Sequence, residues 1–320
     1  MLAFHQIVAS DFSALNKMIV EELHSDVALV ENIGNYIVEG GGKRLRPLIV
    51  LLAAKANGYD RKDHVTLATI VEFIHTATLL HDDVVDRSDK RRGRDTANAL
   101  WGNSPTVLVG DFLYSRAFQL LVRLNNMAIM EIMAHTTNTI AEGEVQQLVN
   151  ARNPDIDESV YETTIFKKTA ILFQAAAQCG AVLASVPDHL CQALAQYGYH
   201  LGMAFQLQDD VLDYDGDASK MGKNLGDDLA EGKTTLPLIH AMANGSDPVR
   251  ALISAAIRDA DSAILDKVLE AIHSTDSLAY CHDKAAQHAR AAIACLDDLP
   301  TSDYRQTLED IAEFSLSRSF

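Results

Sequence analysis

Long apolar stretches are missing from this sequence: no uninterrupted run approaches the ~18 residues that cross a bilayer, and the longest local candidate is Pro47–Ala54. No membrane span is expected. The amino terminus, Met1-Leu2-Ala3-Phe4-His5 and onward to Asp11, shows neither a basic segment nor a cleavage site, which argues against secretion and for a cytoplasmic location. Cysteine is scarce, and Cys179, Cys191, Cys281 and Cys295 have no CxxC spacing, so neither a disulfide framework nor a thiolate metal site is expected. Positive charge is short as well. Against 44 Asp and Glu stand 27 Lys and Arg, and the net charge of −17 disfavours nucleic acid or an anionic lipid surface as the main partner. An anionic substrate would need a local basic patch.

Also missing are a sustained period of two, a Gly/Ser linker, a low-complexity tract and an internal repeat. What is present is helical spacing: Leu67, Ile70, Val71, Ile74 and Thr78, with similar periodicity in 107–121, 129–148 and 190–212. Pro105 after Ser104 and Pro248 after Asp247 each follow a capping residue at a helix start. The fold class expected is all-α, a single domain over residues 1–320 with about a dozen helices. The polar stretch 297–303 reads as a loop.

Two segments carry carboxylates at the same spacing after apolar helices. In Leu79-Leu80-His81-Asp82-Asp83-Val84-Val85-Asp86, Asp82 and Asp86 lie on one helical face with Asp83 about a quarter-turn away. Stacked like charges repel, and hard oxygen ligands select Mg²⁺, which takes few protein carboxylates and completes its shell with water and phosphate. Alone, such a cluster is as readily a solvated helix end. The second copy, Asp209, Asp210 and Asp213 in Phe205-Gln206-Leu207-Gln208-Asp209-Asp210-Val211-Leu212-Asp213, changes that weighting. Two such ends facing each other would form a carboxylate-lined mouth. A calcium loop starting at Asp213 fails, because Ala218 and Asn224 stand where glycine and glutamate are needed.

Cations complete the pattern. Gly40-Gly41-Gly42-Lys43-Arg44-Leu45-Arg46-Pro47 joins a glycine-rich turn to three cations at a helix start, suited to phosphate, and it is no Walker loop because Arg44 follows Lys43. Arg91, Arg92, Lys168, Lys223 and Lys233 follow. Carboxylate clusters with basic segments describe a site that holds pyrophosphate between metal and Arg/Lys, the chemistry of ionising a diphosphate leaving group.

With these motifs the chain resembles the trans-prenyltransferases, the trans-isoprenyl diphosphate synthases, in their long-chain branch, from about Val20 to Met242. The resemblance implies a helical bundle of the isoprenoid synthase type with a central apolar tunnel, a Mg²⁺ cofactor and a homodimer. The substrates it implies are isopentenyl diphosphate and an allylic primer such as farnesyl diphosphate, and the product is a polyprenyl diphosphate supplying a quinone side chain such as that of ubiquinone, delivered to the membrane. By the same resemblance Asp82, Asp83 and Asp86 bind the Mg²⁺ that grips the allylic diphosphate, and Asp209, Asp210 and Asp213 complete the metal cluster. Arg91 binds the allylic diphosphate; Lys43, Arg46, His75 and Arg92 hold isopentenyl diphosphate; Lys168, Thr169, Gln206, Lys223 and Lys233 line the allylic site. Thr169 and Gln206 could stabilise the allylic cation by their dipoles. Arg87 departs from the pattern, since close relatives often carry an acidic residue there, and it could draw Asp86 into an ion pair. Chain length is expected to depend on Ala77 and Thr78, one turn below Asp82, where short-chain relatives carry aromatic rings, and on a floor further down at Leu121 or Met133.

Three rivals differ in class. Glu21-x-x-His24 and Glu72-x-x-His75 match a ferritin-like di-iron pattern, which would explain neither aspartate cluster. A terpene cyclase usually replaces the second cluster with a mixed Asn/Ser/Glu triad, and the non-catalytic subunit of heteromeric prenyl synthases typically lacks one or both clusters.

Overall fold

A computed structural model describes residues 3–215 and 225–317. As the periodicity predicts, the described residues are overwhelmingly α-helical. The chain divides into two compact units. One comprises Met1–Thr137, Leu172–Gly198 and Ile293–Ile311, the other Asn138–Ile171, Tyr199–Ala292 and Ala312–Phe320.

The first unit opens with α1 (Ala9–Glu22), α2 (Ala28–Glu39), α3 (Leu45–Ala56) and α4 (Asp63–Val85), then α5 (Ala97–Trp101), α6 (Asn103–Leu124) and the start of α7 (Met127–Asn150). The apolar run that was too short for a membrane is α3, whose Leu48, Ile49, Leu51 and Leu52 are all 0% exposed. A helix apolar on every side must be a core helix, and each such side chain contributes about 1.5–3 kcal/mol when fully buried. After the short α8 (Glu158–Ile165), α9 (Ile171–Leu183) approaches α3 closely: a Cβ on Gly180 would stand 2.8 Å from that of Ala53.

The last turn of α4 is seated by α6. His81 Nε2 lies 3.2 Å from the Val107 carbonyl and 3.2 Å from Asp111 Oδ1, and a Cβ on Gly110 would fall 2.4 Å from the same nitrogen. A side chain at position 110 would force the His81 ring to move.

One feature has no counterpart in the sequence reading. Lys90–Arg91 and Arg94–Asp95 pair as two antiparallel strands, β1 and β2. The connecting Arg92 and Gly93 have φ of 52° and 75°, the two left-handed positions of a type I′ hairpin turn. A run of cations shows no alternation, so a two-residue strand leaves no periodic signal.

In the second unit the latter part of α7 and α8 are followed by a π-turn at Phe166–Ala170. Next comes α10 (Asp188–Asp215), which belongs to this unit from Tyr199 onward. Then follow α11 (Asp227–Ala230), α12 (Leu236–Asn244), α13 (Asp247–Asp259), α14 (Leu265–Ser274) and α15 (Ser277–Ala294). Its core packs Tyr161, Leu207, Val211, Leu236, Ile253 and Ile272 together. Pro248 stands in the first turn of α13, as expected, and Pro237 does the same in α12. The expected loop at 297–303 ends one residue early, because α16 (Asp303–Ser317) begins on its last aspartate.

Candidate functional site

In the first unit the glycine-rich turn links α2 to α3. Gly41 and Gly42 have φ of 77° and 142°, and Arg44 is left-handed at 46° before the helix starts at Leu45. Gly42 is needed twice over, because a Cβ there would also stand 2.6 Å from the Arg92 guanidinium. Arg92 in turn donates to the Gly41 carbonyl, so the hairpin cation is locked onto the turn. His5 Nε2 lies 3.0 Å from the Lys43 carbonyl.

Arg46, in the first turn of α3, places Nη1 3.3 Å from His75 Nε2 and stacks 4.3 Å over the Phe173 ring. Burial lowers the His75 pKa, and Arg46, Arg92 and Arg91 lower it further. His75 is therefore a neutral imidazole among arginines. One turn earlier, Glu72 accepts an ion pair from Arg44 Nε at 3.6 Å. Burial raises its pKa while Arg44, Arg46 and Arg92 oppose that rise. The di-iron spacing, which explains neither aspartate cluster, finds no support in the structure either: a cation between Glu72 and His75 would meet those arginines. His24, at the other half, bonds Glu31 on the surface, Nδ1 to Oε1 2.7 Å.

The first aspartate cluster ends α4. Asp83 is 0% exposed and its Oδ1 accepts from Arg91 Nε at 2.7 Å. Burial raises its pKa and Arg91 opposes the rise. Its Oδ2 is buried with no hydrogen-bond partner. Asp82 and Asp86 are partly exposed, and the Asp86 amide donates to the Asp82 carbonyl at 2.8 Å, so they share one helical turn. Arg87 leaves the helix in a left-handed conformation, φ 54°, and is exposed. Arg91, Arg92 and Asp83 line a shallow cleft together with Tyr36, Arg94 and Thr96. Ala77, Leu121 and Met133 are buried, at 0%, 1% and 0% exposure, and Thr78 Oγ1 donates to the His75 carbonyl at 2.8 Å.

In the second unit the candidate residues form one hydrogen-bonded chain. Thr169 Oγ1 donates to Gln206 Oε1 at 2.9 Å and Gln206 Nε2 donates to Asp210 Oδ1 at 2.8 Å, while the Tyr161 hydroxyl donates to Asp210 Oδ2 at 2.6 Å. Asp210 is buried and its pKa is raised by burial and by Asp228, against the pull of Tyr161 and Gln206. Asp209 is exposed. Asp213 Oδ2 accepts from the Asp228 amide at 3.2 Å. Lys168 Nζ bonds Glu144 Oε2 at 2.7 Å and Gln147 Oε1 at 2.8 Å. Lys233 bonds Glu231, and its Nζ lies 3.8 Å from Asp228. Lys223 lies outside the described residues.

Lys168 and Thr169 sit on the π-turn, a kind of bulge that concentrates at functional sites. Two glycines grip it: a Cβ on Gly143 would come 2.9 Å from the Lys168 nitrogen, and one on Gly202 would come 2.5 Å from Ala170 Cα. Tyr161, Glu144, Gln147 and Asp228 escaped the sequence reading, since each is an ordinary helical polar residue until its partner is known.

The donor set fits a metal only with help from other ligands. Among the described residues no three His, Cys, Asp or Glu side chains converge closely enough to hold an ion by themselves. Mg²⁺ asks for less, one or two carboxylates completed by water and phosphate. The first cluster lies at the C-terminal end of α4, where the dipole disfavours a carboxylate by about 0.3–1 kcal/mol. The pair Asp82 and Asp86, beside the partnerless buried Asp83 Oδ2, is a hard-oxygen set that suits such an ion.

These features define a helical enzyme with two carboxylate-bearing helix ends and a set of arginines and lysines suited to diphosphates. The polyprenyl synthetase family matches residues 27–274, and the chain belongs to it; it is a prenyltransferase. It is 49% identical over 315 residues to the octaprenyl diphosphate synthase of Escherichia coli (strain K12), covering 98% of each chain. It is 46% identical over 312 residues to the geranyl-diphosphate-specific all-trans-nonaprenyl-diphosphate synthase of Rhodobacter capsulatus, covering 97% of this chain and 96% of that one. Among solved structures, the polyprenyl synthase of Caulobacter crescentus CB15 complexed with calcium and isoprenyl diphosphate superposes with a TM-score of 0.94 at 43% identity, covering 99% of this chain and 97% of that one.

Proposed function

We propose that the protein is a long-chain all-trans polyprenyl diphosphate synthase of the octaprenyl type, adding isopentenyl diphosphate to an allylic primer such as farnesyl diphosphate with Mg²⁺ as cofactor. The observation that carries this reading is the set in the first unit: Arg46 on His75, Arg92 on the glycine turn and Arg91 on Asp83, directly beside the pair Asp82 and Asp86. Lys43, Arg46, His75 and Arg92 hold the diphosphate of isopentenyl diphosphate, and neutral His75 serves as a hydrogen-bond donor. Arg91 serves the allylic diphosphate and opposes the rise that burial imposes on the Asp83 pKa. By the family pattern Asp82 and Asp86, and likewise Asp209 and Asp213, would supply carboxylates to the metal, which when bound neutralises the departing pyrophosphate. Turnover needs both clusters.

In the second unit the chain from Thr169 through Gln206 to Asp210 runs donor to acceptor toward a carboxylate. The Thr169 proton is committed to Gln206, so the Thr169 oxygen keeps its lone pairs for the electron-poor allylic carbon. Lys168, Lys223 and Lys233 are assigned to the allylic side by the family pattern.

The remaining assignments belong to the same proposal. Among the described residues no helix is long and apolar enough to cross a membrane and all four cysteines are free, which supports a cytoplasmic enzyme that hands its product to the membrane for quinone synthesis. Leu108, Val122 and Met127 are 65%, 67% and 76% exposed, large apolar side chains that support a homodimer. Each compact unit is assembled from stretches that the other interrupts, which supports a single catalytic domain. The test is incubation of the pure protein with Mg²⁺, labelled isopentenyl diphosphate and farnesyl diphosphate, with the dephosphorylated products sized. A C40 ladder end is expected; no elongation beyond C20 would overturn the long-chain assignment.

A further inference from the structure

α10 and α15 bring two imidazoles together in the second unit, and the reaction proposed above uses neither. His200 and His288 place their Nδ1 atoms 3.0 Å apart, with ring centroids 5.2 Å apart. Tyr199 stands edge-on to both, 4.9 Å from His200 and 6.0 Å from His288, and packs in turn on Phe166 at 5.5 Å. Both histidines are half-buried against this aromatic wall.

Two ring nitrogens at that distance can share a proton or a metal ion. With metal–nitrogen bonds of about 2.0–2.1 Å, nitrogens 3.0 Å apart subtend an angle of roughly 90–97° at the ion. That is the cis angle of tetragonal or octahedral coordination. A tetrahedral ion such as Zn²⁺ would require the nitrogens to part to about 3.3 Å. Imidazole with a near-right-angle bite matches Cu²⁺ and Ni²⁺ among the common dications. We propose that His200 and His288 form a two-imidazole chelate for a tetragonal transition-metal dication, Cu²⁺ or Ni²⁺, with water in the remaining positions.

The surroundings favour this occupant. Burial lowers the pKa of both rings, and His200 pushes His288 down further, to about 4, so both are neutral near pH 7 and no charge has to be displaced. Lys284, the nearby cation, is held by Glu158 at 2.6 Å and by Glu162 at 2.8 Å. Two carboxylates against one ammonium leave the neighbourhood negative, and on His288 itself Glu162 acts more strongly than the opposing Lys284. Among the described residues no third His, Cys, Asp or Glu joins the pair, so the site is a chelate open to water and ties α10 to α15.

The test titrates the full-length protein with CuSO₄ near neutral pH in excess Mg²⁺, which keeps the hard carboxylates filled. Pulsed EPR reports the ligating nitrogens, and thermal melting is followed with and without NiSO₄. The wild type is expected to bind one Cu²⁺ through two imidazoles and to melt higher with Ni²⁺. His200→Gln and His288→Gln should each weaken Cu²⁺ at least about tenfold and abolish the Ni²⁺ shift. Circular dichroism confirms that each variant is folded, and either one alone decides the matter if the other does not fold. Unchanged Cu²⁺ affinity in a folded variant, or an EPR signal showing oxygen ligands or one imidazole only, would overturn the proposal.

Discussion

Arg91→Ala separates what the Arg91–Asp83 bond does for the fold from what it does for the reaction. Asp83 is 0% exposed and its Oδ1 lies 2.7 Å from Arg91 Nε, so the substitution leaves a buried carboxylate with neither oxygen satisfied. Breaking one side of a buried pair typically costs about 3–5 kcal/mol. Two features lower that. The Arg91 side chain is 22% exposed, so water reaches part of the bond. Asp83 can also escape by protonation, and bringing a carboxyl from its ordinary 3.8 to neutrality at pH 7 costs about 4 kcal/mol at 1.36 kcal/mol per unit, a ceiling on the loss. The loss of one charged hydrogen bond, about 1.5 kcal/mol, sets the floor. We expect Arg91→Ala to lose about 2–4 kcal/mol in urea denaturation at pH 7 with EDTA present. Without Arg91 the folded pKa of Asp83 rises further. A carboxyl raised in the folded state gives stability that is present below its ordinary pKa and lost as pH rises through the folded value, so the penalty should shrink as pH falls from 7 towards 5. Asp83→Asn in the same background should return most of the stability while leaving turnover low. A loss under about 0.5 kcal/mol, or no recovery from Asp83→Asn, would refute the assignment of Asp83 as a paired buried charge.

Asp82→Ala and Asp209→Ala should each lower turnover roughly a hundredfold to ten-thousandfold with the fold intact by circular dichroism; near-full activity of Asp209→Ala at saturating Mg²⁺ would break the two-cluster reading. Lys43→Ala and Arg46→Ala should raise KM for isopentenyl diphosphate with little change in kcat, and a larger effect on the allylic substrate would reverse the site assignment. Ala77→Tyr puts a ring at a fully buried position below Asp82: a shortened product at near-wild-type stability places the position on the chain's path, whereas unchanged product with a melting loss places it in packed core. His288, whose folded pKa of about 4 lies below the ordinary 6.5, should give stability that is present above pH 6.5 and lost as pH falls towards 4, and His288→Gln should flatten that stretch of the stability profile.

The helices were legible because their apolar positions repeat at helical spacing, and the clusters because three aspartates recur at the same intervals in 82–86 and 209–213. The hairpin at 90–95 was not, since it depends on left-handed Arg92, a conformation that no residue-type preference announces for arginine. Glu72 is legible as helical, but its role is not, because spacing gives its face and not its neighbours. Those neighbours, Arg44 and Arg46 from the glycine-rich segment and Arg92 from the hairpin, come from two separate segments. Tyr161 was silent for the same reason: its partner Asp210 is 49 positions away.

The first aspartate cluster occupies the wrong end of a helix for negative charge. α4 stops at Val85, so Asp82, Asp83 and Asp86 lie near carbonyl ends that repel them, and within each cluster the aspartates repel one another. Asp83 takes Arg91, Asp210 takes the Tyr161 and Gln206 donors and Asp213 takes the Asp228 amide; Asp83 and Asp210 are the two buried deepest. The outer members, Asp82, Asp86 and Asp209, keep more contact with solvent. A sequence under selection for stability alone would place lysine or asparagine at such positions, since either would gain from the dipole or be indifferent to it. Keeping the outer carboxylates therefore makes physical sense if a cation offsets them in the working enzyme. On that account Asp82→Asn should melt slightly higher than wild type in EDTA while losing turnover in Mg²⁺.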